Sequence, residues 1–271
     1  MTVSVLGCGW LGEPFGVHLV GKKMKVKGST TKAPKLRVID DDGIEPYLIR
    51  LGPDRIEGDI TAFLESDVLV LNFPPNGNAL TVEEVFPKTV TRIIEAVKES
   101  SLRKIIFVSS TSVYGNQHGE RVSETANLKP ERPSSRALVV VENMLMNQPE
   151  LQVTILRMGG LVGGVRKPYL FLVGRDDLDG GEMPVNLVHQ SDAIEAIFAV
   201  IEQDVWGEIF NVVADLHPSR REYYTYAATQ NNMTPPRFLP DQEPSGKSVS
   251  NEKIKRILGF EFTYSDPFHM L

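Results

Sequence analysis

Strand-like runs recur along the chain at TVSVLGCG (2–9), MKVKGST (24–30), EPYLIRL (45–51), DVLVLNF (67–73), KIIFVSS (104–110) and LQVTILR (151–157). As a set they are rich in Val, Ile and Leu with little polar alternation, the pattern of strands covered on both faces. Helical runs lie between several of them: LGEPFGVHLVGKK after the first, VEEVFPKTVTRIIEAVKES at 82–100, and PSSRALVVVENMLMN at 133–147. Strands that must be buried on both faces and that alternate with helices are accommodated by a doubly wound parallel sheet, so an α/β fold is expected. From Gly159 onward the rhythm breaks into the turn-rich stretches GGLVGG, GRDDLDGGEMPVN and NNMTPPRFLPDQEPSGKS, which read as a smaller carboxyl-terminal lobe.

Size and charge narrow the function classes. A chain of 271 residues with 41% hydrophobic residues and a formal net charge of -6 is long enough to bury a large core. It has no basic excess for the counterion release that nucleic-acid binding needs, so no nucleic-acid partner is expected. No apolar run reaches a membrane-spanning length, and no membrane association is expected. One cysteine, Cys8, cannot form an internal disulfide, and the amino terminus runs into a β-like segment with no cationic leader; a cytoplasmic protein is expected. The five histidines, at 18, 118, 189, 217 and 269, show no paired ligand spacing, and a single cysteine cannot complete a zinc cluster. No metal site is expected. There is no G-x-S-x-G elbow for a hydrolase nucleophile.

The chemistry begins in GCGWLG, at Gly7, Gly9, Trp10, Leu11 and Gly12. Between a strand and a helix, this G-x-G-x-x-G lets the chain turn tightly, lets the backbone approach a pyrophosphate, and packs helix on sheet. Dinucleotide binding by a Rossmann-type sheet is the resulting expectation. Residues 1–158 are assigned to an NAD(P)-binding domain, with returning elements at about 186–214, and 159–271 mostly to the smaller, substrate-binding lobe. At the end of the second strand, where an acidic residue would hold the ribose hydroxyl of NAD, the chain has GSTTKAPKLR. Hydroxyls at Ser29, Thr30 and Thr31 and a cation at Lys32, with Lys35 and Arg37 near the next helix start, suit a 2'-phosphate, and NADP is favoured over NAD. Asn72, Phe73 and Pro74 end the fourth strand, where backbone either lines the nicotinamide ribose or simply stops the strand.

VSSTSVYG (108–115), together with the amino-terminal glycines, resembles the extended short-chain dehydrogenase/reductase family, the group of NAD-dependent nucleotide-sugar epimerases and dehydratases. LKPERPSSRALVVVE, ILRMGGLVG, NLVHQSDAIEAI (186–197), GEIFNVV (207–213) and SNEKIKRILGFEF (250–262) resemble its later motifs in order. The resemblance implies that Ser110 binds the substrate oxygen, with Thr111, Ser112 and Tyr114 facing a small-molecule substrate. It also implies pairing of two copies through the helices near 82–100 and 133–147. The family's proton relay is a tyrosine and a lysine on the helix that follows. Pro130, Pro133 and Glu142 match that helix without a gap and place Ser134 and Leu138 at those two positions, so the Tyr-x-x-x-Lys pair is absent.

Two readings follow. The chain is an atypical NAD(P)-dependent epimerase, dehydratase or reductase with another proton donor, or a catalytically inactive NADP-binding sensor or scaffold. Among other residues that could reach a nicotinamide or a substrate, His118, Glu124 and Tyr169 are read as structural, exposed or substrate-binding. His189 is read as structural and Asp192 as the cap of the following helix. Arg166, Lys167, Tyr169 and Arg175 are available to an anionic substrate.

Overall fold

A computed structural model describes residues 1–75, 78–240 and 243–271. Its centre is a seven-stranded parallel sheet of β1 (Thr2–Leu6), β2 (Lys25–Thr30), β3 (Glu45–Leu48), β4 (Val68–Leu71), β5 (Lys104–Ser110), β6 (Gln152–Met158) and β7 (Ile209–Val212). The strand order is β7-β6-β5-β4-β1-β2-β3. Chain direction across the sheet therefore reverses between β1 and β4, and ligands of doubly wound sheets bind outside the carboxyl ends of the strands at such a point. The register sets Val3 against Val26 on one side and Val68 on the other. β4 is buried at every position and β1 at all but its first, as two-sided coverage requires.

The chain divides into two compact units. The first comprises Met1–Ser109, Arg132–Leu156 and Ile197–Ile209. Its helices include α1 (Gly12–Gly21), α2 (Lys35–Asp41), the short α3 (Ile60–Phe63), α4 (Val82–Lys98) and α5 (Pro133–Met146). α4 turns Val82, Phe86, Val90, Ile93 and Val97 inward, a stripe at helical spacing that buries one face and leaves the other charged. α4 packs on α5, and Arg136 of α5 grips the Glu83 carboxylate of α4 with Nε at 2.9 Å and Nη2 at 2.7 Å. This fork is exposed, so it fixes geometry more than it adds stability. Lys27, 9% exposed on β2, donates to the carbonyl oxygens of Ala62, at 2.5 Å, and Glu65, at 3.0 Å. It thereby adds a donor to carbonyls at and just beyond the end of α3.

The segment 45–51, expected as one strand, is split. Glu45–Leu48 joins the large sheet, whereas Arg50–Leu51 pairs antiparallel with Ile56–Glu57. Ile49 lies between them, buried, with its N–H on the Thr30 carbonyl.

The second unit comprises Ser110–Glu131, Arg157–Ala196 and Phe210–Leu271. A parallel pair, Gly160–Val162 with Leu187–His189, borders a core of Val162, Val185, Leu187, Ala214, Tyr223 and Met270. Helices α7 (Arg220–Gln230) and α8 (Glu252–Leu258) belong to this unit, whereas α6 (Gln190–Glu202) is shared between the two divisions of the chain. A full capping box opens α7: the Ser219 hydroxyl accepts from the Glu222 N–H, and Glu222 accepts from the Ser219 N–H. No described helix is long and apolar enough to cross a membrane.

Candidate cofactor site

At the carboxyl ends of β1, β2 and β4 lies a pocket of about 340 Å³. Leu6, Gly7, Cys8 and Gly9 form one wall, Ser29 to Lys32 and Lys35 a second, and Asn72, Phe73 and Pro74 a third. Ile49, Leu51, Val85, Phe86 and Thr89 add a largely apolar side. All of these belong to the first unit. Two lysines and no carboxylate occur among the described residues that line it, so the pocket is built for an anion with an apolar body.

The glycine loop is fastened to the neighbouring strands. The Gly7 N–H donates to Ser29 Oγ at 2.9 Å, the Cys8 N–H to the Ser29 carbonyl at 2.8 Å, and Asn72 Nδ2 to the Gly7 carbonyl at 3.0 Å. Glycine is required at Gly7 and Gly12 by the protein itself. Gly7 has φ +114°, and a Cβ there would run into the Asn72 carbonyl; one at Gly12 would run into the Gly7 carbonyl. Gly9 differs, since an added Cβ would meet nothing within 4 Å. Its side chain is missing where only pocket space lies in front of it, the arrangement needed for close approach of a pyrophosphate. This cradle, with the two lysines, fits a dinucleotide.

Of the residues expected at the cofactor, Gly7, Gly9, Ser29, Thr30, Thr31, Lys32, Asn72, Phe73 and Pro74 line the pocket. Trp10, Leu11 and Gly12 stand outside its lining. Leu11 and Gly12 are buried at the start of α1, so they face a ligand only through the backbone at that helix end. Asn72, left open between lining a ribose and ending a strand, follows β4, lines the pocket and donates to the Gly7 carbonyl. Cys8 is buried, and burial pushes its thiol up to about 12. It stays protonated and fills the turn.

The sequence reading missed the apolar wall and Glu13. Phe86 and Thr89 fall on the buried stripe of α4, but periodicity does not say which end of the stripe meets a ligand. Glu13, in the first turn of α1, lies with its Oε2 2.6 Å from Lys35 Nζ, and that ammonium also donates to the Cys8 carbonyl at 2.6 Å. This buried oxygen has no other polar partner among the described residues, so the ion pair with Lys35 is what compensates it.

The helix after β5 carries its frame without the relay. α5 begins with Pro133 at its first position, which places Ser134 in the opening turn. Leu138 is 6% exposed and lies with Val141 and Leu145 among the buried residues of the helix. Glu142 is also buried and accepts from the Ser109 hydroxyl at 2.6 Å.

In the second unit, Ser110 precedes the single helical turn Thr111–Tyr114, and its Oγ accepts the Ser112 N–H at 3.1 Å. Thr111 is 7% exposed. Tyr114, expected to face substrate, is fully buried. Its hydroxyl donates to Asn211 Oδ1 at 2.7 Å and accepts from Arg157 Nη1 at 2.8 Å, and Glu124 Oε1 accepts the Asn211 N–H at 2.8 Å. Burial, opposed by Arg157, raises the phenol above its ordinary pKa. Tyr114 is thus a core tyrosine with both polar functions engaged, not a substrate contact. Glu124 is part of the same network, and His118 is exposed at positive φ.

Asp192 does not cap α6. It is 1% exposed, and its two oxygens accept the N–H groups of Thr263, at 3.0 Å, and Tyr264, at 2.9 Å. His189 stacks on Tyr264 with ring centres 3.9 Å apart and shares a 2.8 Å hydrogen bond with Ser191. Burial lowers the His189 pKa and raises that of Asp192. Both are structural in these contacts. No group of His, Cys, Asp and Glu among the described residues could hold a metal ion.

The sheet order, the glycine cradle and the cationic pocket define a Rossmann-type dinucleotide-binding protein. Residues 87–213 match the model of the NAD dependent epimerase/dehydratase family. Protein YeeZ of Escherichia coli (strain K12) is 35% identical over 271 residues, covering 99% of this chain and 98% of that protein. Among solved structures, a functionally unknown conserved protein from Silicibacter pomeroyi DSS has a TM-score of 0.80 at 21% identity, covering 99% of this chain and 96% of that one. UDP-glucuronic acid 4-epimerase from Bacillus cereus, in complex with NAD, has a TM-score of 0.80 at 18% identity, covering 100% of this chain and 95% of that one. The chain belongs to the NAD-dependent epimerase/dehydratase family of extended short-chain dehydrogenases/reductases. It is an NAD(P)-binding, epimerase-like protein.

Proposed function

We propose that this protein binds NADP in preference to NAD and uses it in an epimerase, dehydratase or reductase reaction whose proton donor is not the usual tyrosine. The observation that carries the cofactor preference is the end of β2, where Lys32 lines the pocket and no carboxylate does among the described residues. An acid at the end of β2 would repel a 2'-phosphate; here Thr30, Thr31 and Lys32 occupy that place. Thr31 and Lys32 are exposed, and Thr30 Oγ1 accepts the Lys32 N–H at 3.2 Å, which sets the course of the loop.

The nicotinamide, when bound, supplies the hydride acceptor or donor. The chain supplies the rest. Gly7, Gly9 and the start of α1 hold the pyrophosphate; Ser29, Thr30, Thr31 and Lys32 hold the adenosine end; Asn72, Phe73 and Pro74 line the wall between. Ser110 binds the substrate oxygen, with Thr111 and Ser112 beside it. Its Oγ already accepts from the Ser112 N–H, which leaves the hydroxyl hydrogen to be donated to a ligand.

A proton relay through α5 is unsupported. Free tyrosine titrates near ~10 and needs a neighbouring cation to work as an acid or base at neutral pH. A serine hydroxyl is a far weaker acid, and Leu138 carries no charge. Positioned general acid-base groups contribute typically ~10²- to 10⁴-fold, so turnover should be slow unless another group serves.

Titration calorimetry with both dinucleotides tests the cofactor reading. Tighter binding of NADP supports it; equal affinity, or tighter NAD, overturns the preference. Single-turnover absorbance of the reduced nicotinamide with nucleotide sugars tests the catalytic half, and a protein that holds NADP tightly yet never exchanges a hydride would be a binding protein only.

A further inference from the structure

The pocket's two lysines are not equivalent. Lys32 is exposed, and among the described residues its side chain makes no ion pair or hydrogen bond. Lys35 lies half-buried, with its ammonium turned onto the glycine loop, where it meets Glu13 Oε2 and the Cys8 carbonyl, each at 2.6 Å. Glu13 is fixed in turn, its N–H on the Gly9 carbonyl at 3.1 Å. One cation therefore ties the first residue of α2 to the loop after β1 and to the first turn of α1. Its charge is neutralised by a carboxylate whose Oε2 has no hydrogen-bond partner among the described residues.

We propose that Glu13 is a specificity-determining residue: it holds Lys35 as a neutral staple of the glycine loop, so that Lys32 alone reads the 2'-phosphate. This rests on the NADP-preferring reading above. The physical reason is competition. An ammonium held by a carboxylate and a carbonyl has little net field to offer a second anion, and moving it to a phosphate would strand the buried Glu13 oxygen without its counter-charge. Lys32 has no such commitment. The staple would then serve both dinucleotides equally, by holding the loop shape, while discrimination between them lies with one side chain.

The experiment is calorimetric measurement of the ratio Kd(NAD)/Kd(NADP) for the full-length protein and its variants. Glu13→Gln removes the charge that holds Lys35 and keeps the size of the side chain. The freed ammonium becomes a second phosphate-reading cation, so the ratio should rise about two- to fivefold, the scale of a partly exposed ion pair, and the salt dependence of NADP binding should steepen. Lys35→Gln should weaken NAD and NADP alike and leave the ratio unchanged. Lys32→Gln should bring the ratio close to one in the parent protein but not in the Glu13→Gln background. A selective loss of NADP affinity with Lys35→Gln, or an unchanged or lower ratio with Glu13→Gln, overturns the staple. The underlying cofactor reading fails separately, if the parent protein shows no preference for NADP, and the staple then falls with it. A parent preference that Lys32→Gln abolishes upholds the cofactor reading even where the Glu13 variant refutes the staple.

Discussion

The glycine loop after β1 and the first two turns of α5 are both short, both sit where this family keeps its chemistry, and they have fared differently. In the loop, the cradle is backbone: Gly7 and Gly12, where the protein leaves no room for a Cβ, amides tied to Ser29, and a carbonyl tied to Asn72. At α5 the family's chemistry rests on two side chains, and the helix forms equally well without them. Pro133 still sets its start, and Leu138, Val141 and Leu145 still bury its inner face. A binding site made of chain geometry is coupled to the fold and is hard to lose alone. A proton relay made of two side chains is tied to the fold only through their packing, and a helix can keep its frame without it.

The largest expected effect tests whether α5 is now only structure. Leu138→Ala should lower the unfolding free energy by roughly 2–5 kcal/mol, the range for emptying a buried leucine site, with the dissociation constant for NADP in the folded protein little changed. Denaturant unfolding with and without cofactor measures both. A stable variant with altered binding would mean that Leu138 faces the ligand and not the core, and the contrast with the loop would be lost.

Gly9→Ala should do the reverse. Apart from its chain neighbours, no described residue comes within 4 Å of its added Cβ, so the melting temperature without ligand should hold, while affinity for NADP should fall on the order of 100-fold, since the methyl takes the space a pyrophosphate needs. Gly7→Ala is the control, and there the stability should fall, by roughly 1–3 kcal/mol, because the backbone conformation itself is strained for alanine. A Gly9 variant that binds normally would show that the ligand passes elsewhere.

How much of this could be read in advance follows from the range of each interaction. The parallel sheet was legible because burial on both faces leaves its mark on every residue of β4 and on all but the first of β1. The glycine loop was legible because three glycines within six residues report a local turn. The start of α5 was legible because Pro133 favours the first helical position. The Glu13–Lys35 pair was not, since it joins residues on two different helices, and only the folded sheet brings their first turns together. Tyr114 was misplaced for a related reason. Its sequence neighbours carry the family's substrate motif, but Asn211 and Arg157, which consume its hydroxyl, come from strands far along the chain. The break of 45–51 at Ile49 was likewise hidden, because a run of apolar residues does not say where one sheet releases the chain to another.

The smallest expected effect is at Ser134, and it decides how complete the loss at α5 is. The residue is half-buried in the opening helical turn, and its hydroxyl makes no hydrogen bond among the described residues. Alanine is a better helix former than serine, so Ser134→Ala should change stability by less than ~0.5 kcal/mol. It should leave NADP affinity alone and alter any measurable hydride transfer by less than about twofold, well below the ~10²-fold that a general acid contributes. A drop near that size, with stability and binding intact, would show that α5 has kept an acid in changed form. The two regions would then differ in the residues they use and not in whether they still take part in the chemistry.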